Sequence, residues 1–370
     1  MSKLIVEVCK IDKVERHSNA DSLDIFTVKG WEIIANRKDD GNGNFIPRYN
    51  VGDKIVFCPP DSILPKELSD KLDITKYLTP VYFPPKNECG VYIGGRVRAI
   101  RLRGQPSYGC MFSLEEDLPE GTDVAEKYGI TKWEPPSECQ EGDAEKPSNV
   151  FLKYTSIENI GNYPNIFTEG EEVVFTEKAH GMNVRLGKIS DMNDVGEKTY
   201  IYAAGSHGVQ RKPPVEGEPT PRFWEPMTEN MKKLLDHLCN DENNVIVYGE
   251  IIGNGIQDMT YGFKERSFRA FDISVNGNYL GYNEKKNLFE QFGIEMVPVL
   301  YKGPFSKAIV KEYTSGPTTI CSPEQAGKFK GREGIVITPV IERETFRFGR
   351  TILKSISADY LARKNGTDSH

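Results

Sequence analysis

No stretch of this 370-residue chain approaches the ~20 consecutive apolar residues that a membrane-spanning helix requires. The opening residues, Met1-Ser2-Lys3-Leu4-Ile5, lack the apolar core of a secretory signal. Paired cysteines are lacking as well. The seven cysteines (Cys9, Cys58, Cys89, Cys110, Cys139, Cys239, Cys321) are odd in number, scattered, and never form Cys-x-x-Cys. That spacing argues against a disulfide framework and a cysteine-bound structural zinc, and it predicts reduced thiols in a cytoplasmic, intracellular compartment. Excess positive charge is also missing: 47 Lys and Arg against 54 Asp and Glu leave a formal net charge of −7. A generic nucleic-acid coat protein depends on a positive long-range field and fits that balance poorly. A local basic track on an acidic protein stays compatible with it.

What is present describes a soluble globular chain, with 38% apolar and 27% charged residues, long enough for two domains. Short strands separated by turns fill the first third. Leu4 to Val8 alternates; Asp24 to Val28 runs into a Lys29-Gly30 turn and Trp31 to Ala35 follows; Lys54 to Phe57 comes after Val51-Gly52-Asp53. Gly94 to Gly104 reads as a strand bounded by glycines, and the spacing of the set predicts a small five-stranded OB-fold barrel. Residues 134–149, rich in Pro, Glu, Ser and Gly, read as a linker. Beyond it strands mix with helices. One helix is predicted from a Thr228 cap to Cys239, with Met231, Leu234, Leu235 and Leu238 on its apolar face. Another is predicted from Glu284 to Phe292, closed by Gly293. The expected organisation is 1–133 barrel, 134–149 linker, 150–365 second domain and 366–370 disordered tail, an α+β chain overall.

Chemistry enters with Val173-Val174-Phe175, which runs straight into Thr176-Glu177-Lys178-Ala179-His180-Gly181-Met182-Asn183. A lysine at the end of an apolar strand can serve as a nucleophile if its amine is neutral, which requires desolvation and neighbouring cations. Attack on a phosphate also needs cationic partners for the developing charge and carboxylates to hold a metal. Pieces of that kind follow in order: Tyr248-Gly249-Glu250, Phe271-Asp272-Ile273, Glu333-Gly334-Ile335-Val336 and Leu353-Lys354.

Taken together, Lys-x-x-Gly, Tyr-Gly-Glu, Phe-Asp-Ile, Glu-Gly-Ile-Val and Leu-Lys resemble the five signature motifs of the covalent nucleotidyltransferases, the polynucleotide ligases and mRNA-capping guanylyltransferases. The version Lys-x-His-Gly-x-Asn is similar to the RNA ligase branch. The resemblance spans roughly Asn149 to Lys364 and implies an adenylation domain of antiparallel sheets flanked by helices. It implies an ATP-dependent joining of 5′-phosphate and 3′-hydroxyl RNA ends, with Mg²⁺ or Mn²⁺ as the metal, in a monomer. Lys178 would carry AMP as a phosphoramidate. Glu250 would contact the ribose or a metal-bound water, and Phe271 would stack on adenine. Glu333 would serve the metal together with Glu250. Lys354 would grip the α-phosphate and depress the pKa of Lys178. Glu177, Ser206 and His207 join the nucleotide-contacting set, with Arg211 as an alternative to His207. His180 would act in the RNA-dependent steps and Asn183 at the RNA.

Departures are visible. The last motif of many relatives has two lysines one residue apart, whereas Lys354 is flanked at that spacing by Ile352 and Ile356, which turns attention to Arg350. Only 16 residues follow Lys354, without the trailing OB domain usual in DNA ligases and capping enzymes. At the front, residues around Glu15 to Val28, Val51 to Pro65 and Arg96 to Gly109 resemble OB modules of tRNA-binding proteins, an order similar to one subgroup of RNA ligases. There Arg96, Arg98, Arg101 and Arg103 would form an RNA track if a bulge realigned them, whereas His17 and Asn19 read as turn formers. Two rival expectations are a GTP-dependent capping-type enzyme and an inactive RNA-binding protein.

Overall fold

The computed structural model describes residues 4–83, 90–133, 143–192, 195–322, 324–327 and 329–363. The chain separates into two compact units, one built from the first 137 residues and the other from residue 138 onward. Most of the expected linker, 134–142, and the expected tail, 366–370, lie outside the described residues.

The first unit is all short strands. Glu7–Lys10 and Cys110–Ser113 flank Lys54–Cys58 in one sheet, while Lys13–Arg16, Leu23–Val28 and Trp31–Asn36 form a meander. The Leu23–Val28 strand alternates half-buried and buried positions, and it reverses through Lys29 and Gly30, both at positive φ (50° and 82°). A two-residue turn with both central residues left-handed matches the twist of a tight hairpin. The central strand reads Lys-Ile-Val-Phe-Cys with four consecutive buried residues, because it is covered on both faces: Val56 and Cys58 in one apolar cluster, Ile55 and Phe57 in another. Among the described residues the strands pair as short separate sheets rather than as one closed ladder.

The expected continuous strand from Gly94 to Gly104 is not formed. It breaks into Val91–Arg96 and Ile100–Leu102, and the second piece turns back through Arg103 (φ 48°) and Gly104 into Gln105–Ser107. The break removes the four-arginine track. Arg96 is buried, ion-paired to Asp61 at 2.5 Å and stacked on Trp133 with its guanidinium 3.4 Å from the ring centre. A guanidinium so committed is structural. Arg101 and Arg103 are exposed, and Arg101 caps its own turn through Gly104 O at 3.1 Å. His17 braces that turn through Leu102 O at 3.1 Å, and Asn19 reaches Arg103 O.

The second unit is built on two sheets. The larger, six-stranded sheet runs in the order Gln210–Arg211, Lys198–Gly205, Met182–Met192, Val245–Gly253, Arg266–Val275 and Asn278–Tyr279. Its central strand, Val-Ile-Val-Tyr-Gly-Glu-Ile-Ile-Gly, is buried along nearly all its length. Helix Glu229–Cys239 packs Met231, Leu234, Leu235 and Cys239 onto this sheet; Thr228 caps it by accepting from Met231 N, and Asn240 leaves it at φ 47°. The second expected helix spans Tyr282–Gln291, two residues earlier at its start than the sequence suggests, and Gly293 follows at φ 65°. The five-stranded sheet runs Glu158–Asn159, Leu353–Ile356, Gly334–Pro339, Glu172–Glu177 and Val299–Pro304. Its strand Glu172–Glu177 places Val173, Val174 and Phe175 wholly out of solvent.

Candidate active site

A cleft lies in the second unit, lined by Thr176, Lys178, Val336, Thr338 and Ile352 from the region of the smaller sheet and by Asn183, Glu250, Phe271 and Asp272 from the larger. Lys178 stands where the Glu172–Glu177 strand ends, its backbone pinned by a bond from its N–H to Gly334 O at 3.0 Å. Its Nζ lies 2.5 Å from Glu333 Oε1, and the Glu333 carboxylate is almost fully buried.

Glu250 faces Asn183 directly across the ladder and accepts a hydrogen bond from its side chain. Its Oε2 is buried without a hydrogen-bond partner. Burial pushes the Glu250 carboxyl up to about 8; Lys178 opposes that rise and Glu333 adds to it. Two carboxylates therefore converge on one lysine, and burial favours the protonated form of Glu250. An oxygen ligand so placed fits a divalent cation, because coordination supplies the missing positive charge. Among the described residues no cluster of three or more metal-ligating side chains exists, so such an ion would complete its shell with phosphate oxygens and water.

Phe271 reaches the cleft through a β-bulge. Tyr248 pairs with Asp272 and Gly249 with Ala270, leaving Phe271 as the extra residue. In a regular strand Phe271 and Asp272 would face opposite sides. Here both line the cleft. Gly249 permits this close ladder, since a Cβ there would sit 2.2 Å from the Phe268 ring. Gly181 is needed for a related reason: its φ is ordinary, but a Cβ would lie 2.5 Å from Ile251 O.

Asp272 anchors the floor. It accepts from Tyr154 Oη (2.8 Å), Lys285 Nζ (2.8 Å) and Arg350 Nη2 (2.6 Å). Burial pushes its carboxyl upward, but Lys285 and Arg350 outweigh that and hold it below the usual carboxylate range. Arg350 also pairs with Glu342 and lies 3.5 Å over the Tyr279 ring. Arg350 is therefore committed to the protein and does not stand in for a second phosphate-binding lysine. Lys285 and Tyr154 are cleft residues that sequence reasoning missed: Tyr154 is 118 positions from its carboxylate partner, and no local pattern links the two.

The other expected residues divide. Lys354 pairs across the ladder with Val336, which in turn pairs with Thr176; because Thr176 and Val336 line the cleft, the register puts Lys354 on the same sheet face. The Glu177 backbone lines the cleft, but its carboxylate is taken by Thr318 Oγ1 (2.5 Å), Thr319 N (2.6 Å) and Thr319 Oγ1 (2.7 Å), so its side chain is a clamp on that loop. His180 is buried behind Lys178, with Nε2 2.8 Å from Asp258, Nδ1 2.7 Å from Tyr360 Oη and 3.8 Å from Glu333 Oε2. Burial lowers its pKa. Ser206 closes a turn, its hydroxyl accepting from Val209 N, and exposed His207 sits in the same turn. Neither lines the cleft. Arg211 is buried against the Phe223 ring and 3.4 Å from Asp143, which leaves it no role at a phosphate.

Two mostly antiparallel sheets with a strand-end lysine at the cleft between them and acids beside it define the fold class of the nucleotidyltransferases. The RNA ligase family model matches residues 171–356, half of the chain, and an OB-fold domain model matches residues 5–114. The chain belongs to the RNA ligase family. No curated protein matched it in sequence. Among solved structures it is similar to Naegleria gruberi RNA ligase in several states. A lysine-to-methionine variant with AMP and manganese superposes with a TM-score of 0.71 at 22% identity, covering 96% of this chain and 98% of that one. The form with pyrophosphate gives 0.70 at 22% identity, covering 97% and 98%. At that identity the likeness establishes a shared fold over both units.

Proposed function

We propose that this protein is an ATP-dependent RNA ligase in which Lys178 forms the covalent link to AMP. The observation that carries the reading is that Lys178, Glu250 and Phe271 line one cleft between two sheets, with the buried Glu333 carboxylate 2.5 Å from the lysine. In the first step Lys178 Nζ attacks the α-phosphorus of ATP, the bond to the β-phosphate oxygen breaks, pyrophosphate leaves and the amine gives up a proton. In the second, an oxygen of an RNA 5′-phosphate attacks the same phosphorus and the P–N bond breaks, returning the lysine. In the third, a 3′-hydroxyl attacks the activated 5′-phosphate, a phosphodiester forms and AMP departs. Phe271 supplies a face for the adenine, and Asn183 holds Glu250 in register with it. Lys354, on the lysine's side of the sheet, supplies positive charge for the α-phosphate. Glu250 and Glu333 would hold Mg²⁺ or Mn²⁺, which would neutralise developing phosphate charge. His180, wedged between Asp258 and Tyr360, positions the loop that follows Lys178.

Supporting context comes from the relatives: the Naegleria enzyme was solved with ATP or AMP and manganese. The five described cysteines are all free thiols, and no helix among the described residues is long and apolar enough to cross a membrane. Both agree with an intracellular enzyme, for which a monomer is the expected state. The test is to incubate the protein with labelled ATP or GTP and a divalent metal and to weigh the product. A gain of one AMP on the peptide containing Lys178, lost in Lys178→Ala while the protein still melts cooperatively, is the expected result. Covalent GMP instead would make it a capping-type enzyme, and label persisting in the alanine variant would overturn the assignment.

A further inference from the structure

We propose that the hairpin from Glu344 to Arg350 is an RNA-binding finger, in which Phe346 is a stacking platform for a nucleobase and Arg347 the cation for an adjoining phosphate. The inference rests on the ligase reading for the identity of its polymer. The finger occupies the excursion between the strands Gly334–Pro339 and Leu353–Ile356. The residues on either side of that excursion, Thr338 and Ile352, both line the nucleotide cleft. Eight residues separate Thr338 from Phe346, so the tip stands within roughly 28 Å of the cleft wall.

The stem is fixed from several directions. Arg343 binds Glu171 through Nε (2.7 Å) and Nη2 (2.9 Å), and Thr345 and Thr351 through Nη1 (2.8 and 3.0 Å). Phe348 packs on Tyr163 with ring centres 4.8 Å apart, and Arg350 ties the far side to Glu342 and Asp272. The tip is the opposite. Phe346 is 86% exposed, whereas Thr345 and Phe348 in the stem are half-buried and Arg350 is buried, and the exposed Arg347 holds its guanidinium 5.2 Å from that ring. Arg347 adopts φ 62°, a left-handed backbone that Gly or Asn would take with less strain. An isolated exposed apolar residue needs no explanation. A rigid stem, a bare ring, a cation against it and a strained non-glycine turn next to a nucleotide cleft together point to a ligand with a flat face and a negative charge. Single-stranded RNA has both at every nucleotide. The stem's other charges are paired within the protein, except for exposed Glu344 at its base.

The experiment is fluorescence anisotropy of a 5′-phosphorylated single-stranded oligoribonucleotide, labelled at its 3′ end, with the full chain. Phe346→Ala is expected to weaken binding about ten-fold, within the range that aromatic–base stacking provides. Phe346→Trp should bind like the parent. Arg347→Gln should weaken binding and lower the salt dependence by about one released counterion. Adduct formation with ATP at Lys178 should be unchanged in all three. Binding of Phe346→Ala within about two-fold of the parent overturns the finger. Absence of any adduct in the parent overturns the ligase reading instead, while the anisotropy still decides the finger.

Discussion

Glu250 is the residue whose environment contradicts its ionised form most directly. An ordinary glutamate loses its proton near 4.5, whereas here burial moves that to about 8. Between those two pH values the folded protein holds a proton that the unfolded chain has lost, so stability falls as pH rises through the window and levels off above it. Glu250→Gln removes the titrating group but keeps the shape. Thermal melts without metal should therefore coincide near pH 4.5 and diverge upward for the variant, reaching a difference of up to roughly 5 kcal/mol above pH 8. Equal melts at pH 9 would mean that the carboxylate is solvated and not the buried oxygen described here. Lys178 and Glu333 were both legible in the sequence as motif residues, but their contact at 2.5 Å was not. The sequence shows that a lysine and an acid exist 155 positions apart; the distance between them depends on which strands pair.

At the scale of elements, the helix Glu229–Cys239 was readable almost to the residue. A Thr at its start and apolar residues three and four apart are local signals, and local signals survive in the fold. Thr228→Ala should lower unfolding stability by about 1 kcal/mol in a urea titration, and Thr228→Gly by only a few tenths. A loss indistinguishable from zero in both would show that the Met231 N–H finds another acceptor. The strand expected from Gly94 to Gly104 was misread for the converse reason. Its arginines alternate plausibly, but Asp61 and Trp133, far off in sequence, draw Arg96 inward and end the strand there. The bulge at Phe271 belongs with this case. Alternation along Arg266–Val275 puts Phe271 and Asp272 on opposite faces, and only the partner strand's register inserts the extra residue that turns both toward the cleft.

The whole molecule consists of two units with separate apolar cores: clusters around Val56 and Phe26 in the first, and around Leu234, Phe175 and Tyr248 in the second. Each unit thus has the means to hold itself together. A truncated chain beginning at residue 143 should fold and still form the Lys178 adduct, with end joining of RNA reduced. Sealing at the full-length rate would remove any substrate role for the first unit. The cleft, the lysine and both acids lie in the second unit, which is also where the family match falls.

The order of the motif residues, the helix Glu229–Cys239 and the Lys29-Gly30 turn were legible in the sequence itself, because the helix and the turn depend on neighbours within about ten positions. The tertiary structure alone decided which charges are free. Arg350 and Glu177 look available in the sequence and are fully engaged by partners 78 and 141 positions away. Hydrogen bonds to a buried carboxylate form only where the packed sheets exclude water, and that exclusion is a property of the assembled layers rather than of any segment.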